Sequence, residues 1–422
     1  MVVVSSLLSL CRICRNSKLE NIYDFGEIAL TGVFVEDGSS VLKTPMVLCR
    51  CTECGLVQLR HSYALEELYG DTYGYESHLN NAMSSHLMAK AQELERLYGN
   101  LHDGLSPKTV VDIASNDGTL LSGYSDKVIS KIGIDPLISN FVDRYPTSST
   151  KIEEFFSKNS YNKNSFPKAN IVTSTSVLYD IESPVIFASD VFDILEEGGI
   201  WHFEQSYLVS MVETLGFDTI CQEHLLYLSL HDIDKILSVC GFKILELDLN
   251  EVNGGSIAVT AVKSSKPIEE PQNYHELLEK EIKLGYRDGT MLHNFSTLVG
   301  KHIKELESKL AKFASEGFQI FGLGASTKGN VLLQSLDYSK FKIIAIGDIN
   351  SKKFGKETPG TKIPIINESE ILEQKSTKTV AIVLPWHFKD GILLKANKYL
   401  KAGGTIVIPF PKLEVITAAD IS

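Results

Sequence analysis

Short apolar runs recur along the middle of the chain, separated by polar stretches with helical periodicity. The runs fall at 109–113, 132–134, 171–173, 199–203, 243–248 and 256–262. Strands alternating with helices predict a doubly wound α/β layout, with the last strands antiparallel. Ahead of them, residues 79–99 predict a helix. After them, Lys266-Pro267-Ile268-Glu269-Glu270-Pro271 has the composition of a linker. A charged helical stretch follows from Tyr274 to Ser315, and a second α/β unit opens at 317–325, with further strands at 342–346, 379–384 and 405–408. The segment up to Tyr75 is strand-rich and carries cysteines. The pattern predicts three domains, at 1–75, 76–265 and 266–422, within a chain of 422 residues, long enough for each to bury a core.

A formal charge of −12 argues against a general nucleic-acid-binding surface. No apolar run is long enough to span a bilayer. The start, Met1 to Cys11, faintly imitates a lipoprotein signal, but it lacks a basic n-region and is short. The expectation is a cytoplasmic protein that engages neither nucleic acid nor membrane.

Candidate chemistry begins where the first strand of the middle unit ends. Asp112-Ile113-Ala114-Ser115-Asn116-Asp117-Gly118 runs from that strand through a small, flexible loop, and the next strand ends in Asp135-Pro136. A small loop lets the backbone approach a ligand at the carboxyl end of a parallel strand. A carboxylate after the second strand can accept both ribose hydroxyls. The pattern resembles the S-adenosylmethionine (SAM) site of class I methyltransferases. That resemblance implies cofactor contacts from Asp112, Ser115, Asn116, Asp117, Gly118, Asp135 and Pro136, and from the strand-end Ser174. A dinucleotide site would want G-x-G-x-x-G at this loop, which has only Gly118. SAM carries no phosphate, so an acidic loop suits it.

The chain has seven cysteines, an odd count, and four of them form two CxxC pairs. Cys11-x-x-Cys14 and Cys51-x-x-Cys54 have knuckle spacing and can place four thiolates around one tetrahedral Zn²⁺. Four sulfurs leave no open position, so the metal is expected to be structural. Cys49 lies outside the knuckle spacing and reads as a bystander; Cys240 reads as core.

In this order the segments resemble the three-domain sugar C-methyltransferases that act on nucleotide-linked 4-keto-6-deoxyhexoses. Besides the two CxxC pairs and the Asp112 loop, the resemblance rests on Asp218-Thr219-Ile220-Cys221-Gln222-Glu223-His224, on Asn253-Gly254-Gly255-Ser256 and on Gly324-Ala325-Ser326-Thr327-Lys328-Gly329-Asn330. It also rests on Asp348-Ile349-Asn350 and on Thr358-Pro359-Gly360 through Ile363-Pro364-Ile365. It implies a class I, Rossmann-like SAM-methyltransferase domain, a small N-terminal zinc-binding domain and a second, C-terminal Rossmann-like α/β domain for the sugar nucleotide. The chain is then expected to be a monomer.

The implied reaction removes a proton from C3, next to the C4 ketone, and lets the enolate carbon take the methyl group of SAM. A histidine suits the base. The resemblance implies His224, with Glu223 beside it to orient or tune the imidazole. Tyr75 or Tyr179 could supply a phenol, although packing explains both tyrosines comparably well. Substrate contacts are expected from Tyr73, Ser176, Asp180, Glu204, Cys221 and Asn253. In the C-terminal unit Lys328 and Asn330 are expected to meet the diphosphate, with Trp386 bordering the same pocket. The chain departs from the family at three of these positions: Cys221 replaces a tyrosine, and Ser176 and Asp180 replace an asparagine and a histidine. Those departures keep open a different sugar stereochemistry, O-methylation of a hydroxyl, or a homologue that binds without turnover.

Overall fold

A computed structural model describes residues 5–36, 39, 41–64, 68, 76–374 and 378–421. Its centre is a seven-stranded sheet in the order Phe242–Asn250, Ser256–Lys263, Leu195–Ser206, Ala169–Thr175, Thr109–Ile113, Ser130–Ile134, Ser149–Ile152. The five strands from Leu195–Ser206 to Ser149–Ile152 are parallel. Ser256–Lys263 runs antiparallel to both of its neighbours. A parallel sheet closed by one antiparallel strand in this order is the class I methyltransferase arrangement. Its crossover point lies where the order reverses, beside Thr109–Ile113 and Ala169–Thr175, and ligands of such sheets sit outside the carboxyl ends there.

The strand Ser149–Ile152 was not foreseen. It is short, polar and at the sheet edge, so it carries little alternating pattern. The long charged helix is in fact two, Tyr274–Lys283 and Thr290–Ser315. Between them Gly285 and Gly289 turn the chain at φ +90° and +84°. The helix predicted over 79–99 spans Asn81–Leu101, and the side chain of Asn80 caps it by accepting from the amides of Ala82 and Met83.

The C-terminal unit is a six-stranded sheet around Gln319–Leu323, parallel except for the edge strand Glu414–Ile416. The N-terminal sheet contains Leu19–Ala29, Lys43–Cys51 and Val57–Leu59, and its fourth strand is Leu226–Tyr227, supplied from far along the chain. The segment just after His224 is therefore built into the cysteine-bearing sheet. One buried apolar cluster runs from Cys11 through the central sheet to Ile416, while a second lies under the helix Asn81–Leu101. No described helix is long and apolar enough to cross a membrane.

Candidate active site and metal centre

Cys11, Cys14, Cys51 and Cys54 converge, with their ligand atoms all within 4.8 Å of one another. The Cys11–Cys54 and Cys14–Cys51 sulfurs are each 3.6 Å apart. Tetrahedral zinc with bonds of about 2.3 Å would set its sulfurs roughly 3.8 Å apart, so the cage fits the ion. Cys49 is buried outside the cage, where desolvation pushes its thiol up to about 11. Arg12, inside the first knuckle, ties this region to the central unit: its guanidinium donates to the carbonyls of Leu59 at 2.7 Å and His61 at 3.0 Å, and meets Glu182 at 3.3 Å.

The loop after Thr109–Ile113 is set by a few polar contacts. Asp135 accepts from the amides of Asn116 at 3.0 Å and Leu137 at 2.7 Å, tying the loop to the end of the second strand, with Pro136 half-buried between. Ser115 shares a hydrogen bond with Tyr145 at 2.8 Å. A Cβ on Gly118 would come within 2.9 Å of the Tyr145 ring, so no other residue fits there without movement. Asp112 is buried beneath, accepts from the Thr173 hydroxyl at 2.6 Å and has its carboxyl pushed up to about 7 by desolvation. This glycine-lined turn against a strand-end carboxylate fits an adenosyl ligand.

Two residues expected here face elsewhere. Asp117 accepts from the His78 amide at 2.9 Å, the His78 ring at 2.8 Å and the Thr119 hydroxyl at 2.6 Å, so it shapes the loop instead of offering a free oxygen. Ser174 accepts from the Trp201 indole at 2.9 Å inside the core.

Across the carboxyl edge of the sheet lies a narrow crevice with two adjoining lobes. Ser206, Tyr207, Met211 and Thr219 border both lobes. His224, Tyr179 and Tyr227 line one; Asp218, Asn253, Lys328 and Trp386 line the other. The His224 ring packs 4.3 Å from Tyr179, and its Nδ1 lies 2.8 Å from the Thr219 carbonyl. A carbonyl only accepts, so Nδ1 carries the hydrogen and Nε2 keeps a lone pair. Burial, and then the Lys328 ammonium, push the imidazole down to about 3, so it is neutral at pH 7.

Other expected residues fall around this cavity with altered roles. Glu223 does not orient His224; it is buried and accepts from the Thr31 hydroxyl at 3.3 Å in the N-terminal unit. Glu204 is buried, not solvated, and holds His86 at 2.9 Å and the Asn250 amide at 3.1 Å. Asn253 contributes its carbonyl, which accepts from Lys328 Nζ at 2.8 Å. Asn330 donates to the Thr31 carbonyl at 2.7 Å, so it joins units rather than facing the cavity. Ser176 sits at φ +58° next to Glu204, whose carbonyl accepts its amide at 2.7 Å. Cys221 is buried, and the charges of Glu223 and Asp180 help hold it as a thiol. Tyr73 and Tyr75 lie outside the described residues.

Sequence reasoning did not single out Asp218, Tyr207 or Tyr227 as site residues. Asp218 is 1 % exposed, accepts from the Trp386 indole at 2.9 Å and has no partner for Oδ1 among the described residues. Position in the Asp218–His224 motif was the one available signal. Tyr207 donates to Glu281 at 2.8 Å.

Known proteins share these features. A family model described as "C-methyltransferase C-terminal domain" matches residues 251–411, and one described as "Putative zinc binding domain" matches 11–69. The C-methyltransferase NovU of Streptomyces niveus is 26% identical, over 97% of each chain. Among solved structures, the plantazolicin methyltransferase BpumL in complex with an analog and SAH is 10% identical, covering 44% of this chain and 88% of its own, with a TM-score of 0.37. The N-methyltransferase NodS from Bradyrhizobium japonicum WM9 is 9% identical, covering 44% and 99%, with a TM-score of 0.33. Both structural likenesses are too slight to bear on the chemistry.

Proposed function

Given a chain that belongs to the SAM-dependent C-methyltransferases with an N-terminal structural zinc, we propose that its acceptor is a nucleotide-linked 4-keto-6-deoxyhexose, methylated at C3. The observation that carries this reading is His224 Nε2, an imidazole lone pair held at a cavity between the sheet's carboxyl edge and the C-terminal unit. A ketone acidifies the hydrogens on the carbons beside it, and the neutral imidazole is placed to accept one of them, although the burial and the Lys328 charge that keep it neutral also weaken it as a base. Bound SAM supplies the electrophilic methyl group.

The chain's own residues do the rest. Asp135, Ser115, Asn116 and Gly118 shape the adenosyl side of the crevice, with Asp112 beneath. His224 takes the proton, while Tyr179 packs against its ring and limits its rotation. Alignment of the acceptor carbon with the methyl group is the larger part of such catalysis. Residues 1–75 carry the zinc cage, 76–265 the methyl-transfer sheet, and 266–422 bring Lys328 and Trp386 to the acceptor cavity. Thr31 is consistent with that division, because it meets Glu223 from one side and Asn330 from the other. The protein acts as a monomer in the cytoplasm on this reading.

The test is a mass-spectrometric assay of SAM with dTDP- and GDP-4-keto-6-deoxyhexoses, followed by NMR of the product and of substrate held in D₂O. C3–H exchange and a methyl group on C3 are expected. Exchange and methylation at C5 alone would move the position. Methylation of a hydroxyl without any exchange would replace C- by O-transfer.

A further inference from the structure

The cavity lobe beside Trp386 is lined by two opposite charges that do not meet. Lys328 spends one donor on the Asn253 carbonyl at 2.8 Å, and an ammonium has three. Asp218 spends Oδ2 on the Trp386 indole at 2.9 Å and leaves Oδ1 buried without a partner among the described residues. No hydrogen bond or ion pair joins Lys328 to Asp218 among the described residues, although each feels the other's charge. Buried charges left short of partners are costly, and native structures keep them where a ligand completes them. The arrangement is held firmly. Asp218 comes from the turn Phe217–Thr219, Lys328 from the first turn of the helix Thr327–Gln334, and Trp386 from the turn after Thr379–Val383. A Cβ on Gly254 would lie 2.9 Å from the Trp386 ring, so the glycine is what lets the indole reach Asp218.

The expected role of Lys328 was to hold a diphosphate, and its neighbour in the lobe stands against it. Asp218 shares the lobe, and its free carboxylate oxygen would repel a phosphate. We infer that Lys328 and Asp218 form a polarising clamp on the acceptor sugar, Lys328 donating to the keto oxygen and Asp218 Oδ1 accepting from a neighbouring ring hydroxyl. This rests on the keto-sugar reading above.

The electron count is simple. The C–H bond beside the carbonyl breaks, and its proton goes to His224 Nε2. Its electron pair forms the C=C bond, and the carbonyl pair moves to oxygen, where Lys328 meets it. On transfer the carbonyl re-forms and the carbon gains the methyl group, as the donor's S–CH₃ bond breaks and leaves its pair on sulfur. Charge is conserved within the site: a negative oxygen at Lys328 offsets the positive imidazolium forming at His224. Lys328 otherwise opposes that proton transfer.

The test uses the full zinc-loaded chain with SAM, and dTDP-4-keto-6-deoxyglucose and GDP-4-keto-6-deoxymannose as probes. Lys328→Met should lower kcat and C–H exchange together by about 10²–10³-fold, the scale of a lost oxyanion donor, with KM and inhibition by free dTDP or GDP changed less than about threefold. A raised KM and weakened inhibition at unchanged kcat would make Lys328 a diphosphate holder and overturn the clamp. If Lys328→Met fails to fold, Asp218→Asn carries the test: turnover of the probe should fall about tenfold or more while free nucleoside diphosphate inhibits as before. Tighter inhibition with unchanged turnover would place a phosphate at Asp218 and overturn the clamp as well. If the wild type converts neither probe, the acceptor class falls. The clamp falls with it, whereas a wild type that converts a probe beside an equally active Lys328→Met or Asp218→Asn overturns the clamp alone.

Discussion

His224 Nδ1 lies 2.8 Å from the backbone carbonyl of Thr219. That one contact selects the tautomer, because a carbonyl has no proton to give. The other nitrogen is left as a base at the cavity. His224→Gln should leave SAM binding near normal and cut turnover by roughly 10²-fold or more. Turnover equal to wild type, in a methyl-transfer assay at saturating substrate, would remove His224 from the proton-transfer step.

The sulfur cage predicts one tightly held zinc per chain. Cys14→Ser opens the cage and should lose the metal, as read by elemental mass spectrometry, together with a lower unfolding midpoint. Cys49→Ser should keep a full equivalent of zinc, since Cys49 lies outside the cage. Metal loss in Cys49→Ser would show that the assignment of ligands is wrong.

Asp112 should make the fold less stable at neutral than at mildly acid pH. Desolvation raises its carboxyl from 3.8 to about 7. A raised carboxyl pKa means the neutral form suits the fold, so its contribution is fully present below about pH 4 and is lost as pH rises through 7. Asp112→Asn removes that loss. Its stability relative to wild type, from urea unfolding, should improve between pH 5 and pH 8 by on the order of 2–3 kcal/mol. A difference that does not change with pH would contradict the raised value.

Two ordinary residues occupy left-handed backbone in the crevice, Ala114 at φ +55° and Ser176 at φ +58°. Left-handed geometry costs a residue with a Cβ about 1–2 kcal/mol, and asparagine tolerates it best after glycine. Ala114→Gly and Ser176→Asn should each raise the unfolding free energy by roughly 0.5 kcal/mol, after the entropy cost of glycine in the first, and so raise the midpoint. A lower midpoint in either variant would show that its side chain makes contacts worth more than the strain.

Legibility tracked how local each feature is. The CxxC pairs, the Asp112–Gly118 turn and Asp135 are sequence-adjacent devices, and they fold as their spacing implies. Glu223 was less legible: adjacency to His224 suggested a pair, but successive side chains on this segment diverge, and Glu223 points to Thr31. Glu204 was expected to meet substrate because nothing nearby in sequence announces His86 or Asn250 as partners. Asp218 passed unnoticed because its meaning depends on Trp386, 168 positions away.

The C-terminal unit adds a parallel that no sequence repeat betrays. Asp348 accepts from the amides of Ala325 and Asn350, both at 2.7 Å, as Asp135 does from Asn116 and Leu137. The same strand–turn–strand geometry calls for the same carboxylate, whatever the surrounding residues.

By itself the chain determined the metal cage, the turn after the first strand of the middle unit and the alternation of strands with helices there, because each depends on spacing within a few residues or on periodicity. Only the tertiary structure decided which polar groups share a cavity. Lys328, Asp218, Trp386 and His224 come from three separate stretches, and their meeting depends on how two sheets and the Leu226–Tyr227 strand pack together. A charge has a role only in relation to its neighbours, and those neighbours are set by packing across the whole fold.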